Sequence, residues 1–297
     1  MSLYANQDAN VRKTWLLITV FFAVVIGIGY LFAQLYGDPS FLYIAVIFSV
    51  LMNVLSYWFS DKIVLKMSGA KPASREAQFN LYTVVENLAI TAGLPMPKIY
   101  VIDDPAPNAF ATGRDKEHAV VAVSTGLLKI MDRTELEGVI AHELSHIGNR
   151  DILLSTVIVV LVGFISILAD WFTRAQLFGG HSSDREGNGN AVFMVLGIVL
   201  AILSPIIATL MQLAISRRRE LLADSSGALL TRYPEGLARA LEKIGAYAAP
   251  MHNAHNVTAH LYLSNPFGAK AAKGLSKLFM THPPVEDRIR LLRGMNL

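Results

Sequence analysis

The sequence predicts a mainly α-helical membrane protein, with four transmembrane helices carrying a cytoplasmic α+β domain that contains a small β-sheet. Three observations predict it. Of the 297 residues, 53% are hydrophobic and 16% charged, whereas soluble domains run at about 45–50% apolar and about 25% charged. Four long segments are apolar and almost free of charge. The stretches outside them show the periodicities of short strands and amphipathic helices.

Composition also excludes some chemistry. There is no cysteine, so disulfides and thiolate metal sites are ruled out, any metal must use His, Asp or Glu, and the redox compartment is undetermined. Net charge is +3. The basic residues cluster beside apolar segments, where membrane topology explains them better than nucleic-acid binding does.

The first segment, Thr14–Leu35, carries no charge, and about 20 such residues cross a hydrocarbon core. It is too long for a secretory signal, and a second segment, Phe41–Ser60, follows directly. The link YGDPS (36–40) reads as a tight turn, which makes the pair a helical hairpin. Leu153–Phe172 is the third segment, with Asp170 near its end. Ala191–Leu213 is the fourth, interrupted by Pro205, which neighbouring helices in a bundle can absorb. The alternative for segments three and four is burial in a large soluble core. Asn53 and Asp170 are polar groups in or near spans, read as a helix contact and an interfacial residue rather than as functional groups.

Orientation follows from the basic residues at the span ends. Arg12 and Lys13 precede the first span, Lys62, Lys66, Lys71 and Arg75 follow the second, and Arg217, Arg218 and Arg219 follow the fourth. Four spans place all of these on the cytoplasmic side, together with both termini. The loop Thr173–Asn190 falls on the opposite side, with His181 solvated. The cytoplasmic domain is thereby split into residues 61–152 and 214–297.

Residues 142–146 read HELSH. On a helix, the spacing of H-E-x-x-H puts His142 and His146 on one face, one turn apart, where two imidazoles can grip one zinc ion. Glu143 beside them is placed as general base. Thr134 and Glu137 have capping-box spacing, which predicts a helix start near Thr134. With 8 His and 11 Glu in the chain, a chance match is expected on the order of 0.01 times. The plain alternative is a surface helix with two satisfied histidines.

A metzincin would need Gly at 149 and His at 152, but Asn149 and Ile152 stand there. The other solution is a glutamate from a second helix. Residues 220–224 read ELLAD. Glu220 serves as third ligand, and Asp224, one turn on, as the acceptor that fixes the tautomer of a ligand imidazole. His146 lies seven residues before segment three and Glu220 seven after segment four. If the helices continue, both sit roughly 10 Å beyond the membrane core on one side.

HELSHIGNRD (142–151) and SRRRELLADSSGA (216–228), separated by an apolar hairpin, resemble the HtpX heat-shock proteases, bacterial inner-membrane zinc endopeptidases related to the CAAX prenyl endopeptidases. DDPAPNAFATG (103–113) and the C-terminal NPFGAKAAKGLSKLFMTHPPVEDRI (265–289) extend the resemblance to nearly the whole chain. It implies a gluzincin-like domain with one zinc per chain on His142, His146 and Glu220, and catalysis by Glu143. It also implies unfolded or misfolded membrane proteins as substrates, cleaved at the cytoplasmic face of the bacterial inner membrane.

Lys98–Asp103 and His118–Thr125 read as strands, and Asn108–Thr112 as a third that turns at Gly113–Arg114–Asp115. Asn108 and Phe110 are candidates on a sheet edge that binds substrate as an added strand; a purely structural sheet is the alternative. Arg75–Gly93 reads as an amphipathic helix with Phe79, Leu81, Val84, Val85 and Leu88 on its apolar face, and Pro234–Tyr247 as another helix. His282 and Arg288 are candidates for stabilising an oxyanion, with structural roles as the alternative. His252, His255 and His260 read as surface residues, and His118 as structural. Competing functions are a prenyl-protein protease, a metal-binding membrane scaffold without activity, and a transporter. Four spans, the intact Glu143 and the absence of mid-membrane charge weigh against these in turn.

Overall fold

The structure is a computed structural model that describes residues 3–178, 217–255, 258–268 and 283–295. Helix α1 (Leu3–Tyr36) and helix α2 (Ser40–Trp58) form the N-terminal hairpin. Gly37 turns the chain with φ +66°, a conformation that costs glycine little. The Asp38 carboxylate then accepts a hydrogen bond from the Ser40 amide at 2.9 Å. Among the described residues, two helices are long and apolar enough to cross a membrane, Asp8–Gln34 and Ser40–Trp58. Tyr43, Ile44 and Ile47 of α2 are 64–69% exposed. A face of that kind suits lipid rather than water.

Helix α3 (Ser60–Met67) leads into a four-stranded sheet: β1 (Ala70–Pro72), β2 (Lys98–Ile102), β3 (Ala109–Thr112) and β4 (Val120–Ser124). Its order is β1-β2-β4-β3; β2 and β4 are parallel and the outer pairings antiparallel. Strands two to four fall where alternation predicts, while β1 is an addition, too short to show a pattern. Successive side chains point to opposite faces. Ile99, Ala109, Ala111, Val121 and Val123 enter the main core, whereas Ile102, Phe110, Val120 and Ala122 pack with Val64 and Leu65 of α3. Gly113 turns β3 into β4 at φ +138°, where a Cβ would sit 2.5 Å from the His118 carbonyl oxygen. His118 ends the short 3-10 turn Lys116–His118, bound to Asp115. At the membrane end of the hairpin, the Arg114 guanidinium lies 4.7 Å from the Trp58 ring, and amphipathic rings of this kind sit at bilayer surfaces.

The main core is closed by α4 (Phe79–Ala92), α6 (Arg133–Gly148), α8 (Arg217–Thr231), α9 (Pro234–Ala246) and α10 (Val285–Arg293), with the short α5 (Thr125–Ile130) between β4 and α6. Leu81, Val84, Val85 and Leu88 of α4 are buried as predicted, but Phe79 is 66% exposed at the helix start. The start of α6 also differs from the predicted capping pair. Asp132 caps the helix, accepting from the Glu135 amide, and Glu135 returns the bond to the Asp132 amide at 2.8 Å. Thr134 instead donates its hydroxyl to Asp132. Lys243 of α9 meets Glu135 at 2.6 Å and ties that cap to the core.

Helix α7 (Asp151–Phe178) contains the third apolar segment, so the first residues of the predicted 173–190 loop are helical. The rest of that loop, His181 and the fourth segment lie outside the described residues. Helix α6, which carries His142 and His146, does not run straight on into α7, so the condition on which the expected depth of His146 rests is not met on this side. Arg150 adopts φ +57°, and the two axes meet at 83°. The first half of α7 is therefore wrapped in protein: Leu153, Val157 and Leu161 pack against Phe21, Ile18 and Met52 of the hairpin.

Candidate metal centre

Helix α6 lies against the sheet with Val139, Ile140, Leu144 and Ile147 in the core, which turns His142, Glu143 and His146 toward α8. Helix α8 can come close because residue 227 is glycine. A Cβ there would stand 2.9 Å from the His142 backbone nitrogen. This contact brings Glu220 over the two histidines.

The His142 and His146 Nε2 atoms are 3.2 Å apart. Glu220 places Oε2 at 3.7 Å from the first and Oε1 at 3.6 Å from the second. One ligand atom from each of the three residues falls within 4.8 Å of the others. A tetrahedral ion with bonds of about 2.0–2.1 Å separates its ligand atoms by roughly 3.3–3.4 Å; the two imidazole nitrogens match that spacing, and one Glu220 oxygen lies near each of them. Two imidazoles and a carboxylate form a donor set that suits zinc.

Both ring Nδ1 atoms face carboxylates. His142 Nδ1 lies 2.9 Å from Asp224 Oδ1. His146 Nδ1 lies 3.0 Å from Asp151 Oδ2. Sequence reasoning missed Asp151: five residues beyond His146, it would point away on a continuous helix, and only the bend at Arg150 returns it. The Asp224 carboxylate is completely buried and receives two bonds from Arg288, from Nε at 2.8 Å and Nη2 at 2.7 Å. Arg288 also donates Nη1 to the Leu263 carbonyl at 3.0 Å. All three donor nitrogens of Arg288 are thus engaged behind the site, which favours its structural reading over oxyanion contact.

Electrostatics separates the groups. Burial pushes the His142 imidazole below its ordinary value, against the pull of Asp224. Burial pushes the Glu143 carboxyl up to about 7, with Glu220 adding to the rise. For His146 burial acts downward, but the Asp151 hydrogen bond and the Glu220 charge outweigh it and raise the ring to about 9. For Asp224 burial acts upward, yet Arg288 holds it at about 2. A carboxyl near 7 is suited to exchange protons at neutral pH.

Glu143 is 1% exposed, and Ala111 of β3 lines the same cavity as Glu143 and the two histidines. The outer edge of β3 therefore borders the site, but through Ala111. Asn108 holds the Ser264 backbone, donating to its carbonyl at 3.0 Å and accepting from its amide at 3.2 Å. Phe110 packs edge-to-face on Tyr262 with centroids 5.2 Å apart. Both side chains serve internal contacts. The Leu263 amide bonds to the Ala109 carbonyl and covers the start of that edge. His252 and His255 are exposed as expected, but His260 is buried. It lines the cavity of the metal cluster and bonds the Ser155 carbonyl at 3.2 Å. No local pattern could have revealed this, because His260 sits in a single 3-10 turn, Ala259–Leu261, too short to show a periodicity. His282 lies outside the described residues.

A His-His-Glu cluster able to hold a metal, a buried carboxyl beside it and an adjacent strand edge stand together next to an apolar helical hairpin. That combination defines a membrane metallopeptidase. The chain belongs to peptidase family M48, which matches residues 75–296. It is 46% identical over 301 residues to the "Protease HtpX homolog" of Caldanaerobacter subterraneus subsp. tengcongensis, covering 100% of this chain and 99% of that one. The protein of the same name from Thermococcus kodakarensis is 45% identical over 283 residues, 95% of this chain and 94% of that one. The crystal structure of S. mikatae Ste24p shares the fold with TM-score 0.50 at 21% identity, covering 97% of this chain and 67% of that one.

Proposed function

We propose that this peptidase is a zinc-dependent integral-membrane endopeptidase that hydrolyses misfolded or damaged membrane proteins at the cytoplasmic face of the bacterial inner membrane. In this reading the chain crosses four times, with both termini and the site in the cytoplasm, and holds one zinc on His142, His146 and Glu220. The observation that carries it is the convergence of those three side chains beside the buried Glu143.

Zinc bound there supplies Lewis-acid activation of water and of the scissile carbonyl. The residues do the rest. Asp224 and Asp151 hold the imidazoles with Nε2 inward. Glu143 takes a proton from the attacking water and delivers it to the leaving amine. The Ala111 edge of β3 offers backbone groups to an extended substrate, a mode with little side-chain selectivity that suits unfolded chains.

The test is metal analysis of the purified protein together with casein hydrolysis with and without chelator. Wild type is expected to carry zinc and to lose activity with its removal. Glu143→Gln is expected to keep the metal while turnover falls by about 10²–10⁴. Full turnover in that variant removes the assigned base; wild type without bound metal removes the site.

A further inference from the structure

The two imidazoles are backed in parallel ways, and the second is unexpected. Behind His142 stand Asp224 and then Arg288, from the C-terminal part of the chain. Behind His146 stands Asp151, and behind Asp151 stands Asn10 of the N-terminal helix. The Asn10 amide donates to Asp151 Oδ1 at 2.6 Å and to the Asn149 carbonyl at 3.2 Å. Asn10 and Asp151 are each 4% exposed. The Arg219 guanidinium approaches the same carboxylate at 3.9 Å, from the residue just before Glu220.

A buried amide in a helix leading into a membrane span is costly unless its bonds are made. Here they are made to the bend between α6 and α7, 139 and 141 positions away in sequence. Packing of Phe21 against Leu153, Val157 and Leu161 keeps α1 and α7 in register below that contact. The helix that reads as an anchor therefore reaches the metal cluster with one polar side chain.

We propose that α1 completes the metal site: Asn10 positions the Asp151 carboxylate, which in turn holds His146 with Nε2 toward the ion. The inference rests on the zinc-site reading above. Neither Asn10 nor Asp151 touches the reacting atoms; they are positioning residues. Loss of a carboxylate behind a ligand histidine typically weakens metal binding 10- to 100-fold. Loss of one hydrogen bond behind that carboxylate should weaken it about 3- to 10-fold.

The full chain in detergent is titrated with zinc against a chromophoric chelator. Wild type is compared with Asn10→Leu, Asn10→Asp, Asp151→Asn and His146→Ala, and with Thr14→Val as a neighbouring buried control. The cobalt-substituted protein gives a visible spectrum that reports ligand geometry, and melting of the metal-free protein reports folding. The expected result is weaker zinc binding in the order Asn10→Leu, Asn10→Asp, Asp151→Asn, with altered cobalt bands and no change in Thr14→Val. Asn10→Asp sets a second carboxylate against Asp151, so it should exceed Asn10→Leu. Wild-type affinity and spectrum in Asn10→Leu and Asp151→Asn, with binding lost in His146→Ala, overturns the proposal and leaves the site standing. Variants that only lower metal-free melting overturn it as well. If His146→Ala binds as wild type does, the site reading itself fails and takes this one with it.

Discussion

Each of the two histidines in the proposed metal cluster has a carboxylate behind it, and those carboxylates differ in what they need. Asp224 is fully buried and depends on Arg288. Removing one partner of a buried pair leaves an uncompensated charge, at a cost of about 3–5 kcal/mol. Arg288→Leu should therefore lower stability by that order in a denaturation experiment on the detergent-solubilised chain; unchanged stability would show that the pair is dispensable. His146 gives a pH prediction. Its metal-free value is raised from 6.5 to about 9, so its protonated ring stabilises the metal-free fold fully below pH 6.5, and that contribution is lost as pH rises through about 9. Zinc requires the neutral ring. Zinc affinity should then climb with pH up to about 9 and level off above it, by up to about tenfold per pH unit for one displaced proton. Competition titrations at several pH values check this, and a flat profile contradicts it. The pairing of His142 with His146 was legible in the sequence because a helix places i and i+4 together by its own geometry, and Glu220 because the sequence lacked the third histidine of a metzincin and offered a carboxylate on a second helix. Asp151 and His260 were not, since a bend brings in the first and a single 3-10 turn inside a loop carries the second.

Among the elements, the site depends on how closely α8 approaches α6. Gly227→Ala improves helix propensity by about 1 kcal/mol. It also sets a Cβ 2.9 Å from the His142 backbone, and overpacking typically costs about 1–3 kcal/mol. The second effect should win, because the obstructing atom is backbone and cannot rotate away. Lower melting and at least several-fold weaker zinc binding are expected; wild-type values for both would mean the helices have slack. Periodicity placed α4, α9 and three of the four strands, since burial on one face writes itself into the sequence at 3.6 or 2 residues. It misjudged Phe79, which continues the apolar pattern past the point where the core begins. It also misplaced the cap of α6, because Asp132 and Thr134 both head plausible capping boxes and the choice falls to which oxygen reaches the free amide.

At the scale of the whole molecule, the membrane hairpin and the metallopeptidase domain are joined along the first half of α7. One side of that helix meets Phe21 and Met52 of the hairpin, and Val159 belongs to the core under the sheet. Burial in protein along that half and lipid along a span ask for the same apolar composition, so hydropathy does not record where one gives way to the other. What the sequence determined by itself was whatever is local: the hairpin, the strand alternation, the paired histidines and the carboxylate ladder of 220 and 224. Only the tertiary structure decided the 83° turn after the metal helix, the Ala111 edge beside Glu143 and the reach of Asn10 to Asp151. Those contacts join residues far apart in the chain, and no periodicity records which distant surfaces will pack together.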